Sequence, residues 1–410
     1  MFPPLDAFPI SLRLRLSYNS ATSLCWVYAF ADSHVLTTPW LGPKSQRWTS
    51  LAHALRQSRY ALVAVGAALT LLFTLAWALP PGADYAIYEA IVDQVLQGVQ
   101  LYSAGTRYYD APWLLAILVP LTQLPQPLAQ AILGTASVLM AIGAVHMLRQ
   151  SRRATLWALV FGLANLHTFS LLFRGQIDAL VLLGVGLGWF AVSRRRPWLL
   201  SVALWLLSTK PPNVLLVMLL LLWAIRHWPW QDWLRAFSLV GVSMLCSFIA
   251  FGLDWPLRYV LYIRETPPGL VNVVATIWRG ATTLAIPLWL PLGLALLCLV
   301  VWVYWVLRTG FHLGTLALAL AINFVFSPYV LGYHFVILLP ALVYVAQSDA
   351  RLALAAYLCT WTPLARQWGG FDIAWIDAGY PLALLVATCI VLLRAYPAAA
   401  RSLRSSASRA

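Results

Sequence analysis

The segment ALVAVGAALTLLFTLAWALPPGADYAIYEAIVDQVLQGVQLY, residues 61–102, decides the fold. Its first half, Ala61 to Leu79, is an unbroken apolar run, and a helix crosses a bilayer with about 20 such residues. Arg56 and Arg59 precede the run, and basic flanks stay on the cytoplasmic side. Pro80-Pro81-Gly82 then interrupts the helix, and Asp84 emerges on the outer face. The chain is 61% hydrophobic and holds only 13 Asp and Glu. A carboxylate at such a membrane exit therefore marks a candidate reactive group.

Outward from this segment the same grammar repeats over all 410 residues. The mean hydropathy is +0.78, and apolar runs alternate with short basic breaks. This composition excludes a soluble globular domain and gives an all-α, polytopic membrane protein. The net charge of +14 does not indicate a nucleic-acid binder. Arg149, Arg152 and Arg153, then Arg194 to Arg196, then Arg226 and Arg235, and later Arg308, Arg351 and Arg394 occupy the breaks, where cytoplasmic Arg sets orientation.

Crossings are expected near 61–80, 112–148, 154–172, 176–193, 197–209, 212–225, 233–252, 284–307, 311–327, 330–347, 351–365 and 378–396. That is about twelve spans with both termini in the cytoplasm. Pro120, Pro125 and Pro127 divide the 112–148 stretch into a half-helix and a full span. Lys210-Pro211-Pro212 divides 197–225 into two short pieces, either two crossings or one re-entrant pair. Residues 1–59 are expected to be a weakly ordered cytoplasmic or interfacial extension, 60–396 the membrane domain, and 397–410 a basic cytoplasmic tail. The five Cys are dispersed without metal-ligand spacing, so neither a disulfide framework nor a metal site is indicated.

Five elements could carry chemistry, and this topology puts all of them on the outer face. After Asp84, Ile87, Ile91 and Val95 recur every four positions beside a stripe of Glu89, Asp93 and Gln97. Such a helix is expected to lie in the interface with one side in lipid. Asp84 itself is either an N-cap after the Pro-Pro-Gly turn or a general base; the two are compatible. The loop LYSAGTRYYDAPW, residues 101–113, gathers Tyr102, Arg107, Tyr108, Tyr109 and Asp110, as an aromatic belt or a sugar pocket. The turn LFRGQID, residues 172–178, supplies Arg174, Gln176 and Asp178. Lys210 is one of only two lysines, and an ionisable group within a span is a functional candidate unless it snorkels to the surface. In FSPYVLGYHFVILLP, residues 326–340, His334 follows the Ser327-Pro328 break, as a packing residue or a ligand for an anionic head group. The long outer segment from Asp254 to Ile286 is of a size used for lids.

Taken in order, these residues resemble the GT-C superfamily of membrane glycosyltransferases, and within it glycosyltransferase family 87, the polyprenol-phosphate-mannose-dependent mannosyltransferases. The resemblance rests on Asp84, on Gly98 to Tyr102, on Tyr108, Tyr109 and Pro112, on Gly175-Gln176, on Lys210 to Pro212, and on Ser327, Pro328 and His334. It covers roughly residues 60–395. Tyr109-Asp110-Ala111-Pro112 stands where the family's tyrosine loop usually ends in Tyr-Pro-Pro, and Asp178 where Asn is common.

The resemblance implies a GT-C fold and inverting transfer of a sugar, with mannose expected, from a polyprenyl-phosphate donor to a hydroxyl of a glycolipid or glycan. It implies Asp84 as catalytic base, with Lys210, His334 and Arg174 on the donor phosphate. Tyr85, Glu89, Arg107, Tyr108, Gln176 and Asp178 are then expected around the sugar or the acceptor. Residue 86 is alanine, so the Asp-x-Asp metal motif of nucleotide-sugar enzymes is missing, and no metal or other cofactor is expected. A transporter or flippase of lipid-linked glycans is the alternative, since intramembrane ionisable residues also line substrate paths.

Overall fold

The computed structural model describes residues 63, 65–103, 105–106, 108–148, 160, 162–265, 276–362 and 374–407. The expected extension 1–59 and the candidate Arg107 lie outside the described residues. The chain divides into two units, Met1–Leu71 and Leu72–Ala410; the site and both apolar clusters below belong to the second. Among the described residues there are helices and turns and no strand.

The helices, in chain order, are α1 (Val65–Ala78), α2 (Ala83–Leu96), α3 (Leu115–Thr122), α4 (Gln126–Leu148), α5 (Leu166–Arg174), α6 (Asp178–Ser193), α7 (Pro197–Leu207), α8 (Leu215–Ala224), α9 (Trp230–Phe251), α10 (Trp255–Glu265), α11 (Ile277–Thr283), α12 (Trp289–Thr309), α13 (Leu313–Phe326), α14 (Leu339–Ser348), α15 (Ala350–Leu358) and α16 (Gly379–Ala407). By length and composition four of the described helical stretches can cross a membrane: Gln126–Leu148, Trp230–Phe251, Trp289–Thr309 and Ile376–Ala395. The pair α1 and α2, bent by 78° at the Pro-Pro-Gly turn, makes a fifth if counted as one span. Five of the other expected crossings, at 176–193, 197–209, 212–225, 311–327 and 330–347, fall on apolar helices of 10–17 residues. At about 1.5 Å per residue each is shorter than a hydrocarbon core of about 30 Å. Breaks visible in the sequence bound them: Arg194 to Arg196 after α6, Lys210-Pro211-Pro212 between α7 and α8, and Ser327-Pro328 after α13.

The pattern of exposure agrees with a membrane protein. Ile249 on α9 and Leu253 just after it are 79% and 83% exposed, and Leu292, Leu296 and Leu307 on α12 are also exposed. Apolar faces of this extent suit a membrane or another apolar surface rather than water. α13 is the opposite case, because every residue from Leu313 to Val325 is buried. A helix apolar all round and buried all round is the centre of its bundle. It anchors the larger apolar cluster, to which α6, α7, α8, α14 and α16 contribute.

α2 departs from the interfacial helix expected of it. Its apolar stripe packs on protein: Tyr85, Tyr88, Ile91 and Val92 are buried in a second cluster with Leu114, Leu115 and Leu118, and Ile87 and Val95 pack against that cluster. The reason is α3, a short apolar helix that turns back beneath α2 and takes up the face that the sequence offers to lipid. The loop between them is held by its own tyrosines. The Tyr102 and Tyr108 hydroxyls donate to the Asp110 and Ala111 carbonyls at 2.8 and 2.7 Å. From α10, the Tyr259 hydroxyl donates to the Tyr109 carbonyl at 3.0 Å. α10 is thus the first part of the long 254–286 segment to be accounted for, as a clasp on residues 101–113.

Candidate active site

Four breaks in the helical bundle converge on one place. The first is the start of α2. Its N-cap is Gly82, with no side-chain cap, and Asp84 lies in the first turn. Asp84 is therefore not the capping residue that its position after Pro-Pro-Gly suggests. Its Oδ2 is buried and has no hydrogen-bond partner among the described residues; the nearest cation is Arg174 Nη1 at 3.7 Å. Tyr88, one turn further along the same face, points its hydroxyl at Gln176 Oε1, 3.0 Å away.

The second break is the turn between α5 and α6. Gly175 takes φ +70°, and the N–H groups of Gly175 and Gln176 donate to the Leu172 and Leu171 carbonyls. This is a Schellman ending, which requires a left-handed residue and so favours glycine. A Cβ here would also stand 2.8 Å from Tyr85 Cβ, so the glycine lets α2 approach. The turn delivers Arg174, Gln176 and Asp178 to the site within five residues.

Lys210 stands at the third break. Pro211 and Pro212 lack N–H groups and cannot continue α7. Asn323 of α13 fixes the turn into α8: its Nδ2 donates to the Pro212 carbonyl at 2.9 Å and its Oδ1 accepts from Leu216 N at 3.3 Å. Lys210 Nζ donates to Asp178 Oδ1 and to Gln176 Oε1, each at 3.3 Å, and lies 4.0 Å from Asp110 Oδ1. An ammonium has three N–H donors. Gln176 Oε1 and the two oxygens of Asp178, the second at 3.4 Å, draw on all three, so a ligand at Lys210 would share donors with Asp178.

The fourth break follows α13 at Ser327-Pro328. The His334 Nδ1 accepts from Leu331 N at 3.3 Å, so the neutral ring carries its proton on Nε2. That nitrogen faces Asp178 Oδ2 at 4.0 Å. Tyr333 packs edge-on to His334, and the Arg174 guanidinium lies 5.7 Å from the Tyr333 ring centre.

Asp84, Arg174, Gln176, Asp178, Lys210 and His334 are thus brought together, with Tyr88 and Asp110 among them. Asp110, in the loop before the chain turns into α3, has its carboxyl pushed up to about 6, first by burial and then by Asp178, against the opposing pull of Lys210. The remaining candidates are placed differently. Tyr108 is 1% exposed and its hydroxyl is engaged by Ala111; Tyr85 is fully buried against the Gly175 turn. Glu89 is half-buried one turn after Tyr85 on α2. Asp178 is fully buried, with Lys210 Nζ at 3.3 Å and His334 Nε2 at 4.0 Å from its carboxylate.

Tyr88 and Tyr333 are visible as residues in the sequence without a signal of a role; only Tyr88, four positions after Asp84, has a spacing that suggests a shared face. Among the described residues no three of His, Cys, Asp or Glu are grouped to hold a metal ion.

The helix breaks thus gather carboxylates and cations into one buried polar cluster within an otherwise apolar helical chain. The family model for glycosyltransferase family 87 matches residues 108–331, more than half of the chain. The chain belongs to glycosyltransferase family 87, and is accordingly a glycosyltransferase. The match includes Asp110, Arg174, Gln176, Asp178 and Lys210; Asp84 and His334 join them through the fold. Comparison with curated proteins and with solved structures finds no match.

Proposed function

We propose that the protein transfers a sugar, mannose in our reading, from a polyprenyl-phosphate donor to a hydroxyl of a glycolipid or glycan at the outer membrane face, with inversion. Asp84 takes the acceptor proton as the acceptor oxygen attacks the anomeric carbon. The bond from that carbon to the phosphate oxygen breaks, and polyprenyl phosphate leaves with the electron pair. Attack opposite the leaving group inverts the centre in a single step.

The observation that supports this reading best is the buried Asp84 Oδ2, which accepts no hydrogen bond among the described residues and faces Arg174 Nη1 at 3.7 Å. Leaving such an oxygen without a donor costs about 1–3 kcal/mol or more, and a base awaiting a proton has this arrangement. The departing phosphate is served by the Lys210 ammonium, by the Nε2–H of His334 and by half-exposed Arg174. Charge-assisted donors suit a phosphate leaving group and require no metal. Gln176, held by Tyr88 and Lys210, is placed to orient the sugar. The short helices joined at Lys210-Pro211-Pro212 and at Ser327-Pro328 act in this reading as broken crossings within a twelve-span chain with cytoplasmic termini.

Purified protein in liposomes, given radiolabelled polyprenyl-phosphate mannose and membrane glycolipids, is expected to form an inverted mannosyl product. Transfer only from a different lipid-phosphate sugar would correct the sugar. The absence of transfer from every lipid-phosphate sugar, with nucleotide sugars accepted instead, would overturn the donor class.

A further inference from the structure

The turn that delivers Asp84 is held from outside its own helix. Pro80 and Pro81 have no N–H, and Gly82, as N-cap, has an N–H that the helical ladder does not use. Gly82 is buried, so that donor needs a partner. It finds one in Gln130 on α4, a side chain 2% exposed. Gln130 Oε1 accepts from Gly82 N at 3.0 Å, and Gln130 Nε2 donates to the Pro80 carbonyl at 2.9 Å. One amide therefore grips both ends of the Pro80-Pro81-Gly82 turn, using both of its functions. On another side of Gly82 stands the Arg174 backbone: a Cβ on Gly82 would lie 2.4 Å from the Arg174 carbonyl oxygen. The turn is pinned by an amide clip and seated against the segment that also carries Arg174, the cation nearest Asp84.

We infer that Gln130 is a positioning residue for Asp84, fixing where the base stands relative to Arg174 and the acceptor without touching substrate. This rests on the reading of Asp84 as the base. Two hydrogen bonds set the direction in which α2 leaves the turn, and Asp84 is only two residues beyond Gly82. Displacement of a catalytic group by about 1 Å can cost up to about 100-fold in rate.

The test compares Gln130→Leu, similar in size but unable to hydrogen-bond, with Gln130→Glu. A glutamate accepts from Gly82 N in either state but donates to the Pro80 carbonyl only when protonated. The Leu variant is expected to lose about 10- to 100-fold in kcat, with donor and acceptor KM within about three-fold. For the Glu variant, kcat relative to wild type should rise as pH falls, which the Leu variant does not show. A residue that only supports folding would lower Tm and leave both the kcat of folded protein and its pH profile unchanged; that result, or a loss confined to KM, overturns the inference. If the Leu variant fails to fold, the pH profile of the Glu variant decides alone. Asp84→Asn is assayed alongside. Activity there within a few-fold of wild type removes the base reading itself, whereas an inactive Asp84→Asn with fully active Gln130 variants removes only the role of Gln130.

Discussion

Lys210 Nζ sits 3.3 Å from Asp178 Oδ1, and that carboxylate has no exposed surface. The pair is the fixed centre of the site. Removing one partner of a buried ion pair costs about 3–5 kcal/mol, because the other charge is left without compensation. Lys210→Met is therefore expected to lower the thermal stability of the solubilised protein as well as its activity. The double variant Lys210→Met with Asp178→Leu should regain much of the stability and none of the activity. Thermal unfolding and transfer assays on the same samples check this; recovery of activity in the double variant would show that Lys210 serves only to neutralise Asp178.

Asp84→Asn should leave the unfolding temperature close to that of wild type, because Asp84 caps no helix and its Oδ2 accepts no hydrogen bond among the described residues. Transfer should fall about 100- to 10,000-fold, the usual contribution of a general base. Turnover measured at saturating donor and acceptor checks this, and activity within a few-fold of wild type would exclude Asp84 as base.

Much of this site is legible in the sequence because its residues sit at breaks, and breaks have strong local chemistry. Pro211-Pro212, Ser327-Pro328 and Gly175 each end a helix by mechanisms visible in the residue types. The convergence of those breaks is not legible, since it depends on long-range contacts such as Asn323 with the 212–216 turn. The packing of α2 escaped for a related reason. Its apolar stripe suits lipid and protein equally, and only the backward turn of α3 decides between them. Gln130 gave no signal, because its partners at Pro80 and Gly82 lie 50 and 48 residues away in the sequence.

Asp110 supplies a pH dependence. Its carboxyl is pushed up to about 6 from 3.8, chiefly by burial, so the folded state holds this proton more tightly than the unfolded chain. The contribution is fully present below about pH 4 and is lost as pH rises through about 6. For this group alone, stability should decline by a few kcal/mol at most over that window, about 1.4 kcal/mol for each pH unit. Asp110→Asn cannot ionise, so the slope assigned to residue 110 should vanish. Apparent Tm of both proteins between pH 4 and pH 7 measures it; identical slopes would show that Asp110 titrates as an ordinary surface carboxylate.

Lys210→Arg and His334→Ala separate donor from acceptor. If both side chains serve the departing phosphate, each variant should weaken donor use or the chemical step and leave acceptor KM nearly unchanged. The arginine should rescue only in part, because a planar fork does not reproduce a compact ammonium packed between Asp178 and Gln176. Initial rates with donor and acceptor varied independently make the distinction. A defect confined to the acceptor would move both residues to the other side of the reaction.

The orientation of the whole site rests on where arginines fall between apolar runs, and it can be tested without any assay of activity. Arg264, exposed at the end of α10, belongs to the segment expected outside, and Arg195, exposed in the turn after α6, to a basic break expected inside. Single cysteines at these two positions should be introduced into a cysteine-free background, because Cys246 is itself exposed. In intact cells a membrane-impermeant maleimide should label Arg264→Cys and not Arg195→Cys; permeabilisation should then expose the second. α10 holds the loop of Asp110 through the Tyr259 hydrogen bond to Tyr109, so labelling at position 264 also reports the side on which the site opens. The reverse pattern would turn the site to the cytoplasm, where nucleotide-activated sugars are available. The lipid-phosphate donor would then lose its main rationale, even though the family and the local chemistry of Asp84, Lys210 and His334 would stand.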